Sequence, residues 1–233
     1  NFVKCKACFY MEQVEGIKFP SIPGFNINEA TDILLKRDFD RYREIGEPHP
    51  FLVAKGRDFL IPFSHEHFEL WTQSLHFGAK DRLNFVDPKT NLKVGGGLDD
   101  VWLNINTNCL HIVDYKSTSQ KSDKGPITLD DPWKASYKRQ MDLYVWVLRK
   151  KGFHVDDVGY FLYCDGDRFS DYDFLSSTTA SMNFKITLID YKTNDTWIEP
   201  TLQDISECLN ESKRPQHSDY CEYGKFLTQS LNQ

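Results

Sequence analysis

The period of the apolar positions changes several times along the chain, and each change marks an element. After a short N-terminal segment, residues 20–24 form a breaker containing Pro and Gly. Asn26 or Asn28 then caps a helix running to about residue 45, where Gly46-Glu47-Pro48 stops it. Its apolar positions Ile27, Ala30, Leu34, Leu35, Tyr42 and Ile45 share one face, with Asp38 near the middle of that face and Asp32 at its margin. A second helix is expected over residues 64–76, where Phe68, Trp71 and Leu75 recur at helical spacing. The period then shortens. Residues 83–86, 92–103 and 110–117 read as three strands of an antiparallel meander, joined by turn chemistry at residues 87–91 and 104–108. Asp130 or Asp131 followed by Pro132 opens a helix that ends at Lys151-Gly152. Residues 158–164 form a strand beside the inner strand of the meander, residues 184–191 another, and residues 201–210 a last helix ahead of a polar and aromatic tail. The fold class expected is α/β, with a mixed central sheet flanked by helices. One domain would span residues 1–233, with a core over about 28–165 and a C-terminal elaboration over about 166–233.

Strand geometry concentrates chemistry at one place in this pattern. Gly95-Gly96-Gly97-Leu98-Asp99-Asp100-Val101-Trp102 precedes Ile112-Val113-Asp114-Tyr115-Lys116-Ser117. Successive side chains on a strand point to opposite faces, so Asp114 and Lys116 share one face while Val113 and Tyr115 share the other. Asp99 and Asp114 can then meet across a strand pair. Two hard carboxylates beside an ammonium suit a Mg²⁺ or Mn²⁺ ion and an anionic group being cleaved next to it.

Composition narrows the partners. The chain has 233 residues, enough for a sizeable core, and its five Trp, eleven Tyr and seventeen Phe exclude disorder. A net charge of −6 opposes broad electrostatic capture of nucleic acid, so phosphate contacts must be local. Candidate patches are Lys4 and Lys6, the set Lys134, Lys138 and Arg139, and Arg149-Lys150-Lys151, the last also placed where a helix C-terminus favours cations. Six cysteines in a chain of this size do not make a disulfide scaffold, and no apolar stretch approaches the roughly 20 residues of a membrane span. A reduced, soluble, cytoplasmic setting is expected. The chain opens at Asn1 without Met or a signal-type apolar region, so an upstream segment that was trimmed, or that lies outside this sequence, is expected.

The order helix, strands carrying Gly96-Gly97-Leu98-Asp99 and Asp114-Tyr115-Lys116, then a helix with Gln140-Met141-Asp142-Leu143-Tyr144, resembles the PD-(D/E)XK nuclease superfamily, particularly its RecB-like exonuclease branch. The resemblance covers roughly residues 30–165. It implies a restriction-endonuclease-like core and metal-dependent hydrolysis of DNA, chemistry used in repair, recombination and defence against foreign DNA. Asp99 and Asp114, joined by the backbone carbonyl of Tyr115, would hold the metal. Lys116 would orient the attacking water or offset developing negative charge. Gln140 and Tyr144, one helical turn apart, would help position the substrate strand. The branch also supplies an acid or His from the preceding helix. Alignment of Ala30-Thr31-Asp32-Ile33-Leu34-Leu35 selects Asp32 for that place, whereas periodicity selects Asp38, and the opposing reading of either is a helix-surface charge paired with Lys36 or Arg41. The echo Asp190-Tyr191-Lys192 lacks both flanking motifs and is assigned to structure.

Some members of that branch carry an iron–sulfur cluster held by one Cys before the nuclease core and three after it. Here Cys5-Lys6-Ala7-Cys8 resembles the upstream part, while Cys208 and Cys221-Glu222-Tyr223-Gly224 resemble a decayed downstream part, with Cys-x-x-Gly where Cys-x-x-Cys would be needed. An iron–sulfur cluster or a zinc ion would have Cys5, Cys8, Cys208 and Cys221 available, with His217 nearby, and the opposing reading is that these are ordinary thiols. His65 and His67, two apart on the expected helix, would point to different faces and share no metal. The rival to a nuclease is a nucleic-acid-binding or protein-interaction module on the same fold that does not cleave. The acidic charge favours it, and the intact set Asp99, Asp114 and Lys116 opposes it.

Overall fold

The computed structural model describes residues 1–20, 24–72, 83–120 and 125–231. Its elements in chain order are α1 (Lys6–Gln13), α2 (Asn26–Ile45), α3 (Pro50–Ala54), β1 (Leu60–Pro62), α4 (Phe68–Trp71), β2 (Asn84–Val86), β3 (Lys93–Gly95), β4 (Asp100–Asn104) and β5 (Cys109–Thr118). A 3₁₀ turn (Pro132–Lys134) then leads into α5 (Ala135–Lys150), β6 (Val158–Gly166), β7 (Phe184–Lys192), α6 (Ile198–Leu209) and α7 (Glu222–Leu231). The chain groups into two compact units. One comprises residues 1–24, 86–92 and 196–233, and the other residues 25–85 and 93–195.

The larger unit is α/β. Among the described residues its sheet has five strands in the order β1-β4-β5-β6-β7, with β5 and β6 parallel and every other pair antiparallel. The parallel pair is joined through the 3₁₀ turn and α5, as a crossover between parallel strands requires. Central strands buried on both faces read as largely apolar runs, and β5 and β6 do so apart from His111, Asp114, Lys116 and the polar residues at their C-terminal ends. One face of β5 presents Val113 and Tyr115 to Phe39 of α2, in a core completed by Leu52, Leu60, Trp102, Tyr160 and Leu162. The opposite face presents Asp114 and Lys116, and Lys116 lies against Tyr137 of α5. Gly159 of β6 lets Met141 of α5 approach, because a Cβ there would sit 2.6 Å from the Met141 sulfur.

Several sequence expectations change. The stretch 92–103 is not one strand: β3 pairs with β2 in a separate two-stranded sheet, while β4 joins the main sheet, so the meander shrinks to the β4–β5 hairpin. The run Gly95-Gly96-Gly97 breaks it, since a Cβ on Gly95 would lie 2.1 Å from the Leu83 carbonyl oxygen and no strand residue with a side chain fits there. The expected helix over 64–76 begins only at Phe68, so His65 and His67 lie outside it, and its part from residue 73 onward lies outside the described residues. The three-residue strand β1 and the eight-residue helix α1 are too short for periodicity to reveal, and α7 lies in what the sequence presents as a polar and aromatic tail. The turns behave as read: Asn91 and Asn108, each the last residue of its expected turn, have φ of 57° and 56°. Gly46 ends α2 in the left-handed conformation.

The smaller unit brings the two ends of the sequence together. Helix α1 packs on α6, where Phe2, Tyr10 and Cys208 form a small core with Phe9 and Ile205. Tyr10 donates to the Glu211 carbonyl at 2.9 Å, and Arg214 grips Glu15 through two nitrogens. A second cluster holds Cys5, Ala7, Cys8 and Cys221, with Phe19 against it. Among the described residues no helix is long and apolar enough to cross a membrane.

Candidate functional site

The β4–β5 register sets Asp100 opposite Val113, which brings Asp99, just ahead of β4, level with Asp114. Asp99 Oδ2 accepts a 2.8 Å hydrogen bond from the Tyr115 backbone N–H. The Lys116 ammonium lies 3.0 Å from the Tyr115 carbonyl oxygen, 4.0 Å from Asp99 Oδ2, and in an ion pair with Asp114 Oδ2. Three oxygens therefore surround one positive charge. Asp114 is sealed off, with its side chain 3% exposed, while Asp99 is 33% exposed and forms the open side. Beyond this ion pair with Lys116, the buried Asp114 Oδ2 accepts no hydrogen bond among the described residues.

Electrostatics follow from that crowding. Burial pushes the Asp114 carboxyl up to about 7, with Lys116 pulling down and Asp99 pushing up. Asp99 is also raised, first by burial, against the opposing pull of Lys116 and the Tyr115 N–H. Lys116 is held above the ordinary lysine range because Asp114 and Asp99 outweigh its burial. Two adjacent acids that resist ionising together form a place where added positive charge is stabilising.

Only one of the two α2 acids reaches this cluster. Asp32 accepts from Ser117 Oγ at 3.5 Å, and Thr31 Oγ1 also contacts Ser117 Oγ. Burial and the Asp99 charge push Asp32 up to about 6, opposed by Lys116 and Ser117. Asp38 instead is 52% exposed, bonded to His49 at 3.0 Å and to Arg41 at 3.5 Å. The wheel misplaced it because Ile27, Ile33, Leu34 and Ile45 are exposed, whereas the covered face of α2 runs through Thr31, Asp32, Leu35, Phe39, Tyr42 and Arg43. An apolar stripe identifies a buried face only when the tertiary fold covers it.

Helix α5 supplies the other wall. Gln140 Nε2 donates to Tyr144 Oη at 2.8 Å, and the Tyr144 ring is 5% exposed. Burial raises the Tyr144 hydroxyl above its ordinary range, and Asp99 and Asp114 raise it further. Gly96 is bare because a Cβ there would meet the Tyr144 ring at 2.7 Å and its hydroxyl at 2.8 Å. Tyr137, one turn before Gln140, carries the Lys116 ammonium 4.8 Å from its ring centroid. Its spacing of three and seven residues from Gln140 and Tyr144 is the signal that would have placed it.

Asp100 was passed over beside Asp99, and it supports the whole site. Its fully buried carboxylate accepts from Arg43 Nη2 at 2.5 Å, Val101 N at 2.7 Å, Trp102 Nε1 at 3.1 Å and Tyr115 Oη at 2.7 Å. One cation of each of two expected phosphate patches is engaged internally. Lys134 is buried and donates to the Thr128 carbonyl at 2.6 Å, and Arg149 pairs with Asp157 and Asp195. Asp190, in the echo motif, pairs at 2.5 Å with Arg57.

A second constellation lies in the smaller unit. Cys5, Cys8, His217 and Cys221 bring their donor atoms within 4.8 Å of one another. His217 Nδ1 is 3.4 Å from Cys5 Sγ, 3.7 Å from Cys8 Sγ and 3.6 Å from Cys221 Sγ, and Cys8 Sγ is 3.3 Å from Cys221 Sγ. Cys208 is not part of it. Its place on α6 turns it into the core of Phe2 and Tyr10, so the fourth donor is His217. All six cysteines are free.

No family model, curated protein or solved structure matches this chain.

Proposed function

We propose that the protein is a divalent-metal-dependent deoxyribonuclease on a restriction-endonuclease-like core, cutting DNA by attack of water on the phosphodiester. The observation that carries this reading is the convergence of Asp99 Oδ2, Asp114 Oδ2 and the Tyr115 carbonyl on a single cationic centre, now marked by the Lys116 ammonium. All three are hard oxygen donors, the type that Mg²⁺ and Mn²⁺ prefer, and the sealed Asp114 oxygen, which meets a positive charge and no neutral donor, fits such an ion. Asp99, Asp114 and Tyr115 O would hold it, with Asp32 close enough to act on it through Asp99. Bound there, a divalent ion supplies Lewis acidity and a more acidic water.

The chain's own groups supply the rest. Lys116, kept protonated by the two acids, offsets charge building on the phosphoryl oxygens or orients the water. Tyr137 holds the ammonium over its ring face and limits its travel. Gln140 fixes the Tyr144 hydroxyl at the rim, where the pair would position the sugar–phosphate strand. The order α2, β4–β5, α5 and parallel β6 also supports the resemblance to the RecB-like branch.

Asp114→Ala and Lys116→Ala should each abolish cleavage of DNA in Mg²⁺ or Mn²⁺ with folding retained. Cleavage surviving in both variants would overturn the proposal. The net charge of −6 and the internal pairing of Lys134 and Arg149 favour the non-cleaving module as a second reading. Calcium separates the two. A nuclease binds DNA with Ca²⁺ and cuts only with Mg²⁺ or Mn²⁺, whereas the module gives no metal-dependent cleavage.

A further inference from the structure

We infer that Cys5, Cys8, His217 and Cys221 bind one structural zinc ion, which clamps the N-terminal helix to the C-terminal segment of the smaller unit. Zinc takes four S and N ligands in a tetrahedron with Zn–S of about 2.3 Å and Zn–N of about 2.0–2.1 Å, so neighbouring donors stand roughly 3.4–3.8 Å apart. Four of the six separations run from 3.3 to 3.7 Å, and all six stay within 4.8 Å. The three sulfurs lie around His217 Nδ1, which completes the fourth vertex. Cys5 caps α1 and Cys8 sits in its first turn, while Cys221 immediately precedes α7 and His217 lies four residues earlier. The two halves therefore form a Cys-x₂-Cys and a His-x₃-Cys hook.

Gly224 carries a second, independent observation. A Cβ at this position would lie 2.6 Å from both Cβ and Cγ of His217, so the ring can occupy its place only because residue 224 has no side chain. The Gly in Cys-x-x-Gly is thus not simply a lost ligand: it is the space that admits the His that replaces one. The Gly224 N–H also donates to Cys221 Sγ at 3.3 Å, the kind of outer contact that stabilises a metal-bound thiolate. The iron–sulfur cluster implied by the resemblance does not fit. It calls for one thiolate upstream and three downstream, whereas here two thiols lie upstream, and downstream there is one thiol with an imidazole. Donors this close together enclose a single ion.

The clamp has a physical purpose. Among the described residues the apolar cluster around these donors contains Ala7, Phe19 and the thiols themselves, so it adds little burial of its own to the neighbouring core of Phe2, Tyr10 and Cys208. Metal binding supplies folding free energy directly in small cores. Because zinc has no redox chemistry, the site acts on folding and is independent of the nuclease reading, resting on different residues and a different ion.

The test is the metal content of the intact protein, purified without chelator and measured by mass spectrometry, with cobalt substitution as a spectroscopic probe. The expected result is about one zinc per chain, and a Co²⁺ form with thiolate-to-metal charge transfer and the intense visible bands of a tetrahedral site. His217→Ala and Cys8→Ser should lose the zinc, whereas Cys208→Ser should keep it. Iron with acid-labile sulfide, a Cys8–Cys221 disulfide, or a folded wild-type chain that neither contains zinc nor takes up Co²⁺ would each overturn the inference. The cobalt spectrum is read on the wild-type chain, so misfolding of a variant leaves the test decisive.

Discussion

The guanidinium of Arg43, on α2, meets the fully buried carboxylate of Asp100, on β4, at 2.5 Å. Arg43 also donates to the Phe63 carbonyl and to Asp40 at 2.9 Å, and lies 3.8 Å over the Phe68 ring. One side chain thereby ties α2 to the strand that begins one residue after Asp99. Asp32 and Asp99 come from elements far apart in sequence, and this pairing is what keeps them in register.

Removing either partner strands a charge inside the protein. Arg43→Leu and Asp100→Leu should each destabilise the fold by about 3–5 kcal/mol, and the double variant by much less than the sum. Urea unfolding measures this, and losses below about 1 kcal/mol would show that Asp100 is held by its neutral donors alone.

Gly96→Ala inserts a methyl group into the space taken by the Tyr144 ring. The ring or the β3–β4 connection must shift, at a cost of about 1–3 kcal/mol. In a Tyr144→Ala background, itself destabilised by about 3–5 kcal/mol through loss of a buried ring, Gly96→Ala should cost little more, because the obstruction is gone. The same added loss in both backgrounds would place the strain elsewhere.

The raised carboxyl of Asp32 makes stability pH-dependent with a definite sign. Its value moves from 3.8 to about 6 on folding, so between these values the folded chain binds the proton more strongly than the unfolded chain. Its favourable contribution is present below pH 3.8 and lost as pH rises through about 6. Asp32→Asn should therefore match the wild type at pH 4 and exceed it at pH 8 by on the order of 1 kcal/mol after solvent screening, measured in magnesium-free buffer. A variant less stable at pH 8 would reverse the assignment.

Tyr137→Leu removes the aromatic face beneath Lys116 while keeping apolar bulk. It should cost about 0.5–2 kcal/mol of stability. On the nuclease reading it should also slow cleavage more than Trp133→Leu, whose ring is 56% exposed. Cleavage assays of the two variants side by side decide it, and equal rates would remove Tyr137 from the site.

Local rules already contain much of this protein. Two-residue alternation along β5 places Asp114 and Lys116 on one face whatever surrounds them, and the turn at residues 104–108 folds β4 back onto β5 so that Asp99 comes level with Asp114. Gly46, Asn91 and Asn108 end or turn their elements through backbone angles that their neighbours in sequence do not control. These features are short-range, and residue type and spacing suffice for them.

What required the folded chain are relationships across long separations. Asp32 prevails over Asp38 because β5 covers one side of α2 and leaves Ile33 and Leu34 in solvent, which no helical wheel contains. His217 displaces Cys208 as fourth donor because α6 turns Cys208 into another core while Gly224 opens room for an imidazole 7 residues before it. Asp100 becomes a hub only when Arg43 arrives from α2. Periodicity reports what each element offers to bury, whereas the choice among those offers depends on which surfaces the rest of the chain brings against them.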